Sequence, residues 1–263
     1  MKRESKTKSS LFYEKRLFSF YLIQRILSIK FILCIMLSFL LLFDIFNALN
    51  FEPVTSQIIS VETLYWREFI VLPIFFSWFR VLPVIIAADI VSGEFSNKSA
   101  MIIYATESRN KILVIKLLCV VVSIFILMVF YFSTFLILIF IRTNLFVSIP
   151  IFLMGFLIIF VQLLFYLSLT FMISALTQNI TLSFILPFFY IIIETFLVDL
   201  ELELLSYSSY LVNVVYFFEN LIFNEQIIFS IVTVICIIIL FGLPILVMLI
   251  TFYAFKQLDI RVN

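Results

Sequence analysis

Six apolar runs, each long enough to cross a bilayer, constrain this chain more than any other feature of its sequence. A membrane-spanning helix needs about 20 consecutive apolar residues, because each residue rises about 1.5 Å along the helix axis. The residues are 65% hydrophobic and the mean hydropathy is +1.26, which is more apolar surface than one soluble core can bury. The short alternating runs typical of membrane barrels do not occur. The sequence therefore predicts an all-α membrane protein with six transmembrane helices, at residues 31–49, 69–92, 112–140, 151–176, 180–198 and 227–255.

The 30 residues before the first span are strongly basic, with eight Lys and Arg residues against Glu4 and Glu14. This segment is too long and too charged for a cleavable signal peptide. Residues 11–29 have the pattern of a helix on which Glu14, Arg25 and Ser28 share one face, so we expect a helix lying in the cytoplasmic membrane interface. The predicted domains are a cytoplasmic N-terminus with this interfacial helix over residues 1–30, a transmembrane domain over 31–255 and a short cytoplasmic tail over 256–263.

The distribution of basic residues predicts the orientation, since lysine and arginine are retained on the cytoplasmic side of a membrane. With six spans and a cytoplasmic N-terminus, 14 of the 17 basic residues fall in cytoplasmic segments. The exceptions are Arg67, Arg80 and Arg142. Both termini are therefore expected to be cytoplasmic.

The segment over residues 199–226 is external in this topology, and it is both acidic and apolar. We expect it to form a re-entrant hairpin on the external side between spans 5 and 6. Two short interfacial helices joined near residues 206–209 would place Tyr207, Tyr210 and Tyr216 at the level of the lipid headgroups. An ordinary structured loop is the alternative.

Scarce residue types exclude several classes of function. The chain has no histidine, which removes the commonest general base and the commonest metal ligand. With three glycines it cannot contain a phosphate-binding loop of the GxxxxGK[ST] type, so it is not an ATPase by itself. Cys34, Cys119 and Cys236 each lie in an apolar run, where a thiol packs as a small hydrophobic group. A net charge of +1 indicates no nucleic-acid partner, and we expect no enzyme activity, no metal site and no directly bound cofactor.

The cytoplasmic segment between spans 2 and 3, residues 93–116, concentrates charge between two apolar spans and is predicted to contain a short helix. Glu94 falls just past the end of span 2, and Lys116 lies near the start of span 3. The two side chains can approach each other where water thins, so we expect an ion pair that fixes the hairpin. The alternative is a solvated connection whose charges only anchor the ends of the two spans.

The order of residues in this segment has a counterpart in a known family. Glu94 follows span 2, a short amphipathic stretch comes next, and Ser108 and Arg109 are followed by Lys116, seven residues after the arginine. This order resembles the permease subunits of type-2 ATP-binding-cassette (ABC) exporters, the ABC-2 type transporter permease family.

The resemblance extends in outline over the whole chain. The interfacial helix, the six spans, the turn at residues 174–176, the re-entrant hairpin and a short tail that begins at Phe255 all have counterparts in the family. The family usually has a proline before the Ser-Arg pair and a glycine before the lysine, and here those positions are Glu107 and Ile115.

The resemblance implies a pore-forming permease subunit in the plasma membrane of a prokaryote. Such a subunit contacts membrane lipid, pairs with a second permease subunit as a homodimer or a heterodimer, and binds cytosolic ABC ATPase subunits that hold the ATP and magnesium. The short helix between spans 2 and 3 would be the coupling helix, which sits in a groove of the ATPase and presents exposed apolar anchors there. The residues expected to couple to the ATPase are Glu94, Met101, Ile103, Tyr104, Arg109 and Lys116.

Three ionisable residues fall at membrane depth, where each costs about 2.5–3.5 kcal/mol unless it is paired or wet. Arg80 either lines a translocation path, pairs with Glu194 or extends to the interface, and a path would involve both residues. Asp89 lies about one turn from the cytoplasmic end of span 2 and is expected to be a hydrated end-of-helix carboxylate.

Two other classes of function compete with an exporter subunit. An ATP-independent secondary transporter or channel normally shows internal repeats or several intramembrane acids that form an ion relay, and no convincing repeat is found. A membrane enzyme needs a nucleophile with a base or a metal cluster, and without histidine only scattered carboxylates remain.

Overall fold

The computed structural model describes residues 2–48, 62, 65–66, 70, 77–97, 99–100, 103–104, 108–200, 202–223 and 230–257. Over these residues the chain is helical and contains no β-strand, which confirms the all-α prediction. The helices with described bounds are α1 (Lys2–Ile26), α2 (Ile29–Ala48), α3 (Ser77–Ala87), α4 (Ser92–Ser96), α5 (Arg109–Thr143), α6 (Ile149–Thr177), α7 (Ile180–Asp199), α8 (Tyr207–Phe223) and α9 (Ile231–Gln257), with a 3₁₀ turn at Glu203–Leu205.

Three described helices, α5, α6 and α9, are long and apolar enough to cross a membrane, and the bent pair α1–α2 makes a fourth if it counts as one span. α7 contains a shorter apolar helix. The chain is thus a helical membrane protein. The bounds of α2, α5, α6, α7 and α9 agree with the predicted windows to within four residues.

α1 and α2 meet at an elbow around Ser28, where the chain bends by 53°. The Ser28 hydroxyl donates to the carbonyl of Arg25 at 2.6 Å and accepts from the amide of Phe31 at 3.3 Å, so it closes α1 and begins α2. α1 begins at Lys2, so the predicted helix start at residue 11 is wrong. Lys, Arg and Glu are good helix formers, and they extend the helix toward the N-terminus.

α6 lies at the centre of the bundle and packs against α3, α5, α7 and α9. In its most apolar stretch 61% of the residues are buried, against 17% in α9, which lies at the edge. Gly155 permits a close approach, because a Cβ there would lie 2.7 Å from the Tyr65 hydroxyl and would also collide with the Ile70 side chain. The bundle is therefore organised around α6.

The second predicted span, residues 69–92, is not one continuous helix. α3 ends at Ala87, turns occupy residues 88–91, and the five-residue α4 follows. Ser174 of α6 replaces the missing helical hydrogen bonds, since its hydroxyl donates to the carbonyl of Ala88 at 2.9 Å and accepts from the amide of Ser92 at 3.0 Å. A run of apolar residues does not reveal such a break, because a side chain from another helix makes it possible.

Two helices end on left-handed residues that are not glycine. Asn144 after α5 has a φ of 54° and Gln178 after α6 has a φ of 53°. Left-handed ends are common at helix C-termini, where glycine is preferred and asparagine is tolerated. Asn179 then begins α7, because its side-chain oxygen accepts from the amide of Thr181 at 2.9 Å. The chain therefore turns sharply between α6 and α7 without glycine.

The segment over residues 199–226 differs from the predicted pair of short helices. Its described residues form a 3₁₀ turn at Glu203–Leu205 and then one helix, α8, which packs against α9 and α6. Tyr207 is buried rather than at headgroup level, since its ring stacks on Phe165 at 3.9 Å and its hydroxyl donates to the carbonyl of Leu240 at 2.9 Å. A buried phenol keeps a hydrogen-bond partner, and here the partner is the backbone of α9.

Candidate functional site

At one end of the bundle, Asp89 joins three parts of the chain. It lies in the turn after α3, and its two oxygens accept from Arg25 at 2.7 Å and from Lys30 at 2.6 Å. Arg25 belongs to the last turn of α1 and Lys30 to the first turn of α2. The prediction of a merely hydrated carboxylate is therefore wrong, because the elbow brings two cations to Asp89.

Glu94 and Lys116 form the ion pair that the sequence predicts, so that prediction is confirmed. Lys116 is fully buried, and its ammonium group also donates to the carbonyl of Ile90 at 2.9 Å. The second Glu94 oxygen accepts from the hydroxyl of Tyr21 at 3.0 Å. We call Arg25, Lys30, Asp89, Glu94 and Lys116 the five-charge cluster.

Two aromatic rings complete the surroundings of Lys116. The ammonium group lies 5.6 Å from the ring centroids of both Tyr21 and Tyr104, within the range of a cation–π contact. Burial, together with the Glu94 carboxylate, raises the pKa of the Tyr104 phenol, so the hydroxyl stays protonated at neutral pH. The rings therefore shield the charge of Lys116 from the apolar bundle without adding a charge of their own.

Tyr104 is not one of the exposed apolar anchors that the coupling-helix interpretation predicts. This side chain is buried between Phe95 and Phe255, at ring-centroid distances of 5.9 and 5.5 Å. The prediction that Tyr104 is exposed is wrong, because the ring packs over a buried ammonium group. Ile103 is half-buried against the core, and Met101 lies outside the described residues.

Arg109 is the first residue of α5 and is half-buried. The preceding residue, Ser108, has an extended backbone, and its carbonyl accepts from the amides of Lys111 and Ile112 at 3.0 and 3.2 Å. Lys111 in turn pairs with Glu14 of α1 at 2.9 Å. The Ser-Arg pair thus marks the start of α5, close to its contact with α1.

A second polar group lies inside the bundle, around Glu194 of α7. Its carboxylate pairs with Arg80 of α3 at 2.9 Å and accepts from the hydroxyl of Tyr166 on α6. The other oxygen accepts from the amide of Ser208 at 2.7 Å and from the Ser206 hydroxyl at 3.2 Å. We call these five residues the Glu194 cluster.

The Glu194 cluster decides between the alternatives for Arg80. Arg80 and Glu194 are both buried and pair with each other, so Arg80 does not extend to the interface. Four elements meet at one carboxylate: α3, α6, α7 and the start of α8. A place for these residues on a translocation path stays a prediction.

Sequence reasoning did not identify several residues of these clusters. Tyr21, Tyr166 and Ser206 bind carboxylates, but an isolated Tyr or Ser in a largely apolar chain carries no signal. The contact between Arg25 and Asp89 joins residues 64 positions apart. Hydrophobic periodicity predicts the membrane depth of a residue and the helix face on which it lies, but it does not identify the neighbours of that residue on other helices.

A cavity of about 350 Å³ opens beside the five-charge cluster, between α1 and the segment that begins after α3. Its lining includes Phe20, Gln24, Arg25 and Ser28 from the α1 side and Asn97 and Ser99 from the other. It lies next to Glu94 and Ile103, two of the residues expected to couple to an ATPase.

Among the described residues, no group of three or more Cys, Asp or Glu side chains could hold a metal ion. Cys34, Cys119 and Cys236 are buried free thiols. No protein-family model, curated protein or solved structure matches the chain. Inferences about function therefore rest on the two clusters and the cavity.

Proposed function

We propose that the chain is the transmembrane permease subunit of an ATP-driven exporter of the ABC-2 type. It would pair with a second permease subunit, and ATP hydrolysis in separate ABC ATPase subunits that bind ATP and magnesium would drive transport. In this proposal it lies in the plasma membrane of a prokaryote with both termini cytoplasmic. α1 is the interfacial helix, and the segment 199–226 is the external re-entrant hairpin.

The observation that supports this proposal most is the five-charge cluster. It connects α1, α2, α4 and α5 with the turn after α3 through contacts of buried or half-buried side chains. A buried ion pair needs further hydrogen bonds to be favourable, and here the Lys116 ammonium also donates to the Ile90 carbonyl while Glu94 accepts from the Tyr21 hydroxyl. A force applied to the segment between α3 and α5 therefore reaches several helices at once, as energy coupling requires.

The six spans of the proposal are α2, the predicted span that contains α3, and α5, α6, α7 and α9. Fourteen of the 17 basic residues then lie on the cytoplasmic side, together with the five-charge cluster. The Glu194 cluster lies toward the other side, near the start of α8. A translocation path beside Arg80 and Glu194 would require their ion pair to separate when the pore opens.

The coupling residues divide into two roles in this proposal. Glu94, Lys116 and Tyr104 hold the segment in place from inside the protein, because all three contact one another in the bundle. Arg109, Ile103 and Met101 remain as the residues that would touch the ATPase, since Tyr104 faces inward. Loss of one interface anchor of this kind typically costs about 2 kcal/mol of binding free energy or more.

Purification from the native membrane tests the proposal. The tagged chain, extracted in mild detergent, should bring an ATPase subunit with it, identified by mass spectrometry and by ATP hydrolysis. Arg109→Glu should reduce the co-purified ATPase by about tenfold or more, because it reverses a charge at the expected contact. Lys256→Glu near the end of α9 makes the same charge change elsewhere and serves as the control.

Two outcomes would contradict the proposal. Absence of any ATPase subunit, with transport retained in vesicles that lack ATP, would favour the secondary transporter or channel. Equal ATPase recovery with Arg109→Glu and the control would show that the segment between α3 and α5 is not the docking element. Membrane insertion is checked in each preparation by yield and by a monodisperse elution profile.

A further inference from the structure

We propose that the exposed face of α1, formed by Lys15, Arg16, Phe20, Ile23 and Leu27, binds a membrane surface that contains anionic phospholipids. The proposal deepens the role of α1 as the interfacial helix in the proposed function, but it needs no ATPase. It rests on the division of α1 into two faces, on the charges of the exposed face and on the angle between α1 and α2.

One face of α1 is bound to the rest of the protein. Its contacts recur at residues 14, 18, 21 and 25, the spacing of residues that share one side of a helix. These contacts are Glu14 with Lys111, the Phe18 carbonyl with the Cys119 thiol, Tyr21 with Glu94, and Arg25 with Asp89. They reach α5, α4 and the turn after α3, so this face of α1 is held along about three helical turns.

The opposite face of α1 repeats the same spacing with apolar residues. Residues 16, 20, 23 and 27 each lie two positions after a bundle contact, which is about 200° around the helix. Phe20, Ile23 and Leu27 are 61%, 56% and 72% exposed, and we call these three residues the apolar strip. Leu27 lies just past α1, but its amide still donates to the carbonyl of Ile23 at 2.9 Å, so it continues the helical turn. The described part of the protein therefore leaves the apolar strip largely uncovered.

The exposed face is basic at its other end. Lys15 and Arg16 are exposed, whereas Glu14 lies on the bundle side and pairs with Lys111. Over the described residues 14–27, no exposed position holds an acidic side chain. The preceding residues of the sequence add Lys2, Arg3, Lys6 and Lys8 against Glu4. A helix with apolar anchors and surplus basic residues beside a spanning helix is matched to an anionic lipid surface rather than to a neutral one.

The elbow between α1 and α2 permits this arrangement. α2 is the first span of the proposed function, and the axes of the two helices differ by 53°. If α1 lies in the plane of the membrane, α2 is tilted by about 37° from the membrane normal, near the upper end of the range of about 0–40° for spanning helices. The apolar strip ends at Leu27, beside the start of α2, and Lys15 and Arg16 lie farther along the surface.

Electron paramagnetic resonance of the full chain in nanodiscs tests the proposal. A spin label is attached to Ser19→Cys, at an exposed position of α1, and the three native cysteines are buried. The membranes contain phosphatidylcholine alone, or phosphatidylcholine with phosphatidylglycerol of the same acyl chains. The two-component line shape, with the contact of the label with a water-soluble nickel chelate, gives the ratio of membrane-bound to detached α1. We expect this ratio to be about fivefold higher or more with phosphatidylglycerol, since one Lys or Arg near an anionic surface contributes about 1 kcal/mol.

Two variants assign the effect to the exposed face. Lys15→Gln removes one charge and should lower the ratio about fivefold in membranes with phosphatidylglycerol, with no change in phosphatidylcholine alone. Ile23→Asn removes an apolar anchor and should lower the ratio in both membranes. Lys256→Gln makes the same charge change as Lys15→Gln at an exposed position of α9, and this control should leave the ratio unchanged.

Four results would overturn the proposal. Equal ratios in the two membranes would show that anionic lipid is not recognised. Equal losses with Lys15→Gln and Lys256→Gln would show that only the net charge of the chain matters. An unchanged ratio with Ile23→Asn would show that the apolar strip does not enter the membrane. A label that contacts water in both membranes, and is protected only when a cytosolic protein fraction is added, would assign the exposed face to a protein partner.

None of these measurements involves ATP hydrolysis or recovery of an ATPase subunit. Failure of the lipid proposal is therefore distinguishable from failure of the proposed function.

Discussion

Lys116 is an ammonium group with no access to solvent, and its stability depends on a complete set of neighbours. A buried charge without compensation costs several kcal/mol, so it persists only where it is paired and hydrogen-bonded. Glu94 supplies the opposite charge, the Ile90 carbonyl accepts a hydrogen bond, and the rings of Tyr21 and Tyr104 face the ammonium. Each of these neighbours comes from a different turn or helix, so the stability of the Lys116 charge depends on the packing of all the elements at this end of the bundle.

Lys116→Met should lower the free energy of unfolding by about 3–5 kcal/mol, because it leaves the Glu94 carboxylate half-buried without its cation. Unfolding in mixed micelles, followed by circular dichroism, measures the change. Lys111→Met is the matched control on the same helix. Its partner, Glu14, lies 2.9 Å away in a partly exposed pair, so the loss should stay below about 1 kcal/mol. Equal losses for the two variants would show that Lys116 is effectively hydrated.

The first turn of α8 is bound by a side chain from another helix. Glu194 of α7 accepts from the amide of Ser208 in the first turn of α8, and the Ser206 hydroxyl binds the same oxygen. A carboxylate near a helix N-terminus satisfies amides that have no partner within the helix and interacts favourably with the helix dipole. The same carboxylate binds Arg80, so the position of α8 is linked to that of α3.

Glu194→Gln should weaken the first turn of α8, because the neutral amide is a poorer acceptor and leaves the charge of Arg80 uncompensated. Hydrogen–deuterium exchange of residues 206–212 should accelerate by about tenfold, which corresponds to about 1.4 kcal/mol. Glu219→Gln, on α8 but outside the cluster, is the control and should leave this exchange unchanged. Unaltered exchange with Glu194→Gln would show that α8 is held by its apolar face alone.

The elements show which parts of the fold the sequence could predict. The bounds of α2, α5, α6, α7 and α9 follow from the lengths of apolar runs, because the bilayer thickness sets the length of a spanning helix. The break after α3 could not be predicted in this way. Ser174, more than eighty positions away, supplies the hydrogen bonds that permit it.

Site residues could be predicted from the sequence only where charged side chains fall at the ends of neighbouring spans. Glu94 and Lys116 face each other across a short hairpin, so their spacing suffices to predict the pair. The orientation of Tyr104 depends on Phe95 and Phe255, and Phe255 comes from the other end of the chain. A local pattern gives an amphipathic segment, but the neighbours determine which side of it is buried.

For the molecule as a whole, the proposed topology places the five-charge cluster toward the cytoplasmic side and the Glu194 cluster deeper in the membrane, toward the external side. The five-charge cluster connects helices on the side where basic residues concentrate. The Glu194 cluster connects helices near the acidic segment over residues 199–226, which the proposal places outside. A topology with both on one side would place α8 among the basic residues of the N-terminus and would contradict the distribution of charge.

Single cysteines test this orientation. Ser96→Cys and Leu204→Cys both lie at exposed positions of the structure, whereas Ser208 is buried and would react poorly. A membrane-impermeant maleimide applied to intact cells should label Leu204→Cys, and it should label Ser96→Cys only after permeabilisation. The unmodified chain is the control, because its three cysteines are buried. The opposite labelling pattern would invert the topology and remove the basis for cytoplasmic coupling.

The ion pair between Arg80 and Glu194 also constrains how the chain is made. The two residues are 114 positions apart, so α3 leaves the ribosome long before α7. During that interval Arg80 has no access to the carboxylate that later neutralises it, and an arginine at membrane depth costs about 2.5–3.5 kcal/mol. We therefore expect α3 to take its final place in the bundle only after α7 has been made, despite its early place in the chain. A nascent chain that stops before Glu194 should hold Arg80 without the carboxylate that pairs with it.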